Sequence, residues 1–118
     1  MIYQIKNRVI SKKNSNRWNG KFVYKSKAWT RFEKEQLPIL KKQKGIRKTI
    51  TGNILIDATF LMKGQGASDL DNMLTSVLDL LQKAEIIDDD KHVVSITARK
   101  IIKQPEYLTD ISVQKIND

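Results

Sequence analysis

The segment from Ile50 to Met62 constrains this chain more than any other. Ile50, Ile54, Ile56, Ala58, Phe60 and Met62 fall on one side of a period of two, with Gly52 in phase, and Thr51, Asn53, Asp57 and Thr59 fall on the other. Successive side chains of an extended chain point to opposite faces, so this spacing predicts a strand with one buried face over 50–62. Lys63-Gly64-Gln65-Gly66-Ala67-Ser68 then reads as a flexible loop. From Asp69 to about Ala84 the apolar period lengthens: Leu70, Met73, Leu74, Val77, Leu78 and Leu81 make one face of a helix.

Around this centre the signals are shorter. Residues 2–10, with Ile2, Ile5, Val9 and Ile10, read as a strand, and 11–20 as a polar, turn-rich loop. Phe22 and Tyr24 alternate with Lys21, Val23 and Lys25, which predicts a short strand. Ser26 is placed to cap a helix starting at Lys27, with Trp29, Phe32, Leu37 and Leu40 as its apolar stripe and Pro38 expected to end or kink it. Lys41 to Lys48 is read as a solvated basic connection. Residues 93–102 and 108–116 predict two final strands, joined through Gln104-Pro105-Glu106, after a turn at Glu85. The order β, β, α, β, α, β, β implies an α+β fold, a mixed β-sheet packed with two main helices, as a single domain over 1–118.

Composition narrows the function. The net charge is +9, but residues 1–50 alone carry +13 and residues 51–118 carry −4. So basic a half-chain is suited to a polyanion, and nucleic acid is the expected partner. There is no cysteine, which excludes disulfides, thiolate nucleophiles and Cys-bound zinc and accords with a cytoplasmic setting. No apolar run reaches the roughly 18 residues a membrane span needs, and Met1 to Lys6 lacks the pattern of a signal peptide.

Carboxylates gain nothing from closeness to phosphate, because like charges repel. Two acidic clusters in a phosphate-seeking chain therefore invite a reason: Asp69-Leu70-Asp71-Asn72, and Asp88-Asp89-Asp90. One reading is local. Asp69 would be a helix N-cap, Asp71 a first-turn carboxylate favoured by the helix dipole, and 88–90 a turn. The other is catalytic. Phosphodiester hydrolysis requires an activated water and a stabilised charge, which divalent cations supply. An all-oxygen site without Cys or a His pair points to Mg²⁺ or Mn²⁺. Asp69 and Asp71 lie together at the open end of the helix, and Asp90 joins them only if the fold brings it there. His92, the one histidine, is read as a surface or strand side chain in the first place and as a proton-transfer aid in the second. Trp18, Phe22, Tyr24 and Trp29 are candidates for stacking on unpaired bases, although the spacing of Trp29 to Phe32 equally fits a core.

Asp69-Leu70-Asp71-Asn72-Met73-Leu74, the leucine-rich helix with Asp79, Lys83-Ala84, then Ile86-Ile87-Asp88-Asp89-Asp90 and Val93-Val94 resemble the RusA family of Holliday-junction resolvases, including its phage-borne members. Ser11-Lys12-Lys13-Asn14-Ser15 and Tyr24-Lys25-Ser26-Lys27-Ala28 resemble that family's early segment. The resemblance implies that Asp69, Asp71 and Asp90 are catalytic metal-binding carboxylates, with Asp89, the other member of the paired aspartate, as a further metal ligand. It also implies a homodimer that binds a four-way junction and makes paired, symmetric, Mg²⁺-dependent nicks in DNA recombination and repair, in a bacterial cell or on a phage or prophage. Lys12, Lys13, Asn14, Arg17, Lys25, Lys27 and Lys63 are the expected DNA contacts. Thr75 departs from the pattern, since family members carry a lysine there, as does the lack of early prolines. Lys63 and Lys91 are candidates to replace the missing charge. The alternative that this departure raises is a junction-binding protein of the same fold with weak or no catalysis.

Overall fold

Strand β4 (Ile54–Leu61) carries the period-two pattern into the structure: Ile54, Ile56, Ala58 and Phe60 are buried, while Leu55, Asp57, Thr59 and Leu61 are half-buried on the other face. The computed structural model describes residues 1–11, 16–18, 23–25 and 27–116, with only the backbone for 16–18 and 23–25. Before β4 come β1 (Ile2–Ile5), β2 (Asn16–Trp18), β3 (Val23–Lys25) and helix α1 (Lys27–Lys44). After it come helix α2 (Leu70–Lys83), a single 3-10 turn (Asp90–His92), β5 (Val93–Ile101) and β6 (Leu108–Lys115).

Four strands form one mixed sheet in the order β1-β6-β4-β5. β4 runs antiparallel to β6 and parallel to β5, with Ala58 opposite Ile111 and Ala98. Parallel neighbours need a crossover, and α2 is that crossover. α1 packs on β1 and α2, and α2 packs on β5. The core between helices and sheet joins Trp29, Phe32 and Leu40 of α1, Met73, Val77, Leu80 and Leu81 of α2, and the inward residues of β1, β4 and β6. The fold is therefore α+β with a mixed sheet and two main helices, as the sequence order implies.

Several local expectations are corrected. The first strand stops at Ile5 rather than Ile10, because Lys6, Asn7 and Arg8 put three polar residues in a row, although Val9 still reaches the core. Within the segment read as a loop over 11–20, Asn16–Trp18 pairs antiparallel with β3. Ser26, the expected cap, lies outside the described residues. Ile50 does not continue β4: it makes an isolated parallel bridge to Ile87, so the stretch read as 50–62 is two pairings separated by Gly52, whose φ is +80°.

Pro38 neither ends α1 nor stops it short of Lys44. A proline inside a helix supplies no N–H to the carbonyl four residues back and crowds it. Here that carbonyl belongs to Lys34, and both residues are solvent-exposed, so water can take the place of the missing donor. Trp29 and Leu40, buried on either side, hold the two halves against the core. The helix ends at Gly45 instead, whose φ of +61° lets its N–H donate to the Lys41 carbonyl at 3.0 Å. Lys41 to Lys44 are accordingly helical rather than part of the connection. Replacing Pro38 by Ala restores that hydrogen bond and should raise unfolding stability by about 1–3 kcal/mol, readable as a higher urea midpoint with an unchanged slope.

Candidate functional site

The amino end of α2 collects the first acidic pair. Asp69 sits at the N-cap with extended backbone angles, φ −70° and ψ 136°, yet its carboxylate makes no capping hydrogen bond. The buried Asn72 instead donates from Nδ2 to Asp69 Oδ2 at 3.2 Å. An N-cap Asp normally spends its carboxylate on the first-turn amides. Here it is exposed and held from one side, which leaves oxygen lone pairs for a cation. Asp71, two residues on, is exposed in the first turn, where the helix dipole favours its charge. Thr75 donates from its hydroxyl to the Asp71 carbonyl at 3.0 Å, so it serves its own helix and brings no positive charge to this end.

The second acidic group lies at the other end of the same helix. The chain leaves α2 through Ala84 and Glu85, whose φ is +60°. It then runs beside Ile50, with the Asp88 amide donating to the Ile50 carbonyl at 3.1 Å. The Asp90 amide donates to Gln82 Oε1 at 3.0 Å, which fixes Asp90 beside the last turn of α2. At 1.5 Å of rise per residue, Asp69 and Gln82 stand about 20 Å apart along the helix axis. Among the described residues, no three His, Asp or Glu side chains lie close enough to hold a metal ion together. The fold thus brings Asp69 to Asp71, and Asp90 to Asp89, but does not bring the two pairs together in one chain.

Asp88 and Asp89 have local work in the turn. Asp88 accepts from the Asp89 amide at 2.8 Å and meets His92 Nδ1 at 2.9 Å through its other oxygen. Asp89 caps the 3-10 turn by accepting from the Lys91 amide at 3.0 Å. The hydrogen bond from His92 holds the Asp88 carboxyl below its ordinary value, and the Lys91 amide does the same for Asp89. Asp90 is exposed beside them. Asp79 is occupied too, paired with Lys83 at 3.3 Å, while Lys83 also reaches Glu33 at 2.6 Å.

The basic residues divide by position. Lys27 begins α1 exposed, and Arg31 and Lys34 follow it on the same side one and two turns on, both exposed. Lys63 is exposed in the loop before Asp69, with its ammonium 5.9 Å from the Tyr107 ring centre. Arg17 and Lys25 fall on β2 and β3, opposite Tyr24 and Asn16, and their side chains lie outside the described residues. Lys12, Lys13 and Asn14 lie outside them altogether, as do Trp18, Phe22 and Tyr24 as side chains. Trp29 is fully buried, 5.9 Å from Phe32 between ring centres, so it belongs to the core rather than to a stacking surface.

Two residues that the sequence reading passed over also converge here. Lys100 donates from Nζ to the carbonyls of Gly66 and Ser68 at 3.0 and 3.2 Å, and Arg8 donates to the Ser68 hydroxyl at 2.9 Å. The available signal was phase: Ile96, Ala98 and Lys100 alternate, so the ammonium starts from the helix side of β5, opposite Phe60.

Matched against known sequence families, residues 6–113 correspond to the family described as Endodeoxyribonuclease RusA. That span begins just after β1 and takes in β4, β5, most of β6, both helices and both acidic clusters. No curated protein matches the chain. No helix among the described residues is long and apolar enough to cross a membrane.

A carboxyl whose pKa is lowered on folding stabilises the fold above its unfolded value, and that contribution disappears as pH falls through the lower folded value. For Asp88 the window therefore lies below its ordinary 3.8. Urea midpoints measured from pH 6 down to about pH 2.5 should fall less steeply in Asp88→Asn than in the parent protein, with the difference confined to the acid end.

Proposed function

We propose, from the premise that this chain belongs to the endodeoxyribonuclease RusA family, that its acidic site is divided between two copies of the chain. The protein is an endodeoxyribonuclease of the Holliday-junction-resolving kind. The observation that carries the proposal is the placement of Asp69 and Asp71 at one end of α2 and Asp90 at the other. A carboxylate pair leaves most positions of a hard divalent cation to water and substrate phosphate, and a third carboxylate from a second copy would add to its hold.

The exposed side of β5 supports how the halves meet. β5 is an edge strand of the sheet, and Val94, Ile96 and Ile101 along it, with Ile102 just beyond its end, are exposed. A long apolar edge presents unpaired backbone groups to any second strand. A twofold axis through the middle of β5, near Thr97, would set Val93 of a second copy opposite Ile101. Asp90 of that copy, three residues earlier, would then lie beside the loop that leads into Asp69. The same axis generates a second, identical site, and a twofold enzyme with two sites matches a four-way junction cut in paired strands.

In this reading Asp69 and Asp71 of one copy and Asp90 of the other hold the cation, Mg²⁺ or Mn²⁺, with Asp89 fixing the turn that presents Asp90. A divalent cation bound there supplies the Lewis acidity and charge neutralisation that phosphodiester hydrolysis requires. Asn72 keeps the Asp69 carboxylate oriented. Lys27, Arg31 and Lys34, together with the basic segment before them, give the affinity for DNA phosphate, which should weaken steeply with salt.

Mixing two inactive variants tests the divided site. Asp71→Asn and Asp90→Asn should each bind a labelled four-way junction and fail to cut it with Mg²⁺. After subunit exchange, a mixed dimer has both lesions in one site and none in the other, so nicking should return. If the site lies within one chain, the mixture stays as inactive as its parts. If Asp71→Asn cuts as fast as the parent protein, the carboxylates are caps and turns only.

A further inference from the structure

The loop between β4 and α2 decides where Asp69 points, and its backbone is tied to the end of β5 at several points. The Met62 amide donates to the Ile101 carbonyl at 2.9 Å, and the Lys103 and Gln104 amides donate to Gly64 and Met62 at 2.8 and 2.9 Å. Beyond Gly64 the backbone bonds to this strand end stop, and the side chain of Lys100 takes over by holding both the Gly66 and Ser68 carbonyls. Arg8 adds a second tie through the Ser68 hydroxyl. Gly66 lets the loop come this close: its φ is +65°, and a Cβ there would stand 2.8 Å from Ile102 Cγ2.

We propose that Lys100 and Arg8 are positioning residues for the acidic site, locking residues 66–68 to the end of β5 so that Asp69 and Asp71 keep a fixed distance from it. The proposal rests on the reading of Asp69 and Asp71 as half of that site. An ammonium carries three donors, and two of them here go to carbonyls of the very segment that precedes Asp69. Ser68 is gripped twice, at its carbonyl by Lys100 and at its hydroxyl by Arg8. The strand that Lys100 belongs to is the one whose outer edge would receive the second copy, so the lock sets the first acidic pair in the frame in which Asp90 of that copy arrives. Groups that orient metal ligands act on affinity for the ion more than on the chemistry that follows.

Lys100→Met and Arg8→Gln in the full chain test this. Amide hydrogen exchange at Gly66 to Asp69 should accelerate in both, more in Lys100→Met, while Ile56 and Ala58 of β4 exchange as before. The Mg²⁺ concentration that half-saturates junction cleavage, and the Mn²⁺ affinity read by electron paramagnetic resonance, should weaken about 10–100-fold in Lys100→Met and less in Arg8→Gln. High Mg²⁺ should rescue cleavage by both variants but not by Asp71→Asn. Junction affinity in EDTA should stay unchanged. Equal losses of junction affinity and cleavage would make these residues phosphate contacts, and unchanged loop exchange would remove the lock; either result overturns the proposal. If Lys100→Met does not fold, Arg8→Gln on the exposed surface decides it. If the parent protein itself neither binds Mn²⁺ nor cuts junctions, the metal reading fails, and the exchange data still report on the lock.

Discussion

The parallel pairing of β4 with β5 governs everything else about this molecule. Two parallel neighbours start at the same edge of the sheet, so the chain must travel back the full length of β4 before β5 begins. α2 makes that journey. Whatever follows β4 is therefore left at one end of the helix, and whatever precedes β5 is delivered to the other. Asp69 and Asp71 belong to the first group and Asp90 to the second. The distance between them is a property of the topology rather than of any side chain, and no rotamer change can close it.

That constraint gives the edge position of β5 its meaning. Edge strands in natural sheets are usually guarded by charge, proline or a covering element. β5 has Arg99 and Lys100, but Arg99 bonds Thr59 and Asp57 on the neighbouring strand, and Lys100 bends toward the Gly66–Ser68 backbone. Val94, Ile96 and Ile101 on the same strand are exposed. An edge strand whose two basic side chains are engaged within its own chain and which carries exposed apolar side chains is suited to a second copy of itself. On the proposal of a divided site, completing it would be coupled to association.

The carboxylates show how local and functional roles divide within one cluster. Asp88 and Asp89 make the hydrogen bonds that shape the turn, and their lowered carboxyl pKa values follow from those bonds. Asp69 has the backbone of a capping residue without the capping bond, which is the more telling departure. The missing bond leaves the carboxylate available for the metal role proposed for it. The buried Asn72 that touches it belongs to the helix face toward the core, so the helix that separates the two acidic pairs also orients one of them.

The sequence by itself determined the central strand, the amphipathic helix after it, the two final strands and the α+β class, because each depends on a repeat of apolar residues that survives without tertiary context. It also determined the acidic residues and the basic bias, and the motif around Asp69-Leu70-Asp71-Asn72 pointed to the family. It misjudged Pro38 as a helix end and Asn16–Trp18 as loop, where packing of neighbouring residues or strand pairing outweighed local preference, and it ran the first strand on to Ile10 past the polar Lys6-Asn7-Arg8. Only the tertiary structure decided that Asp90 lies far from Asp69 in the same chain, since distance across a crossover depends on whether strands pair parallel or antiparallel, and hydrophobic spacing is the same for both. Only the tertiary structure showed Lys100 and Arg8 meeting at Ser68, because residues 92 positions apart in sequence leave no local pattern that ties one to the other.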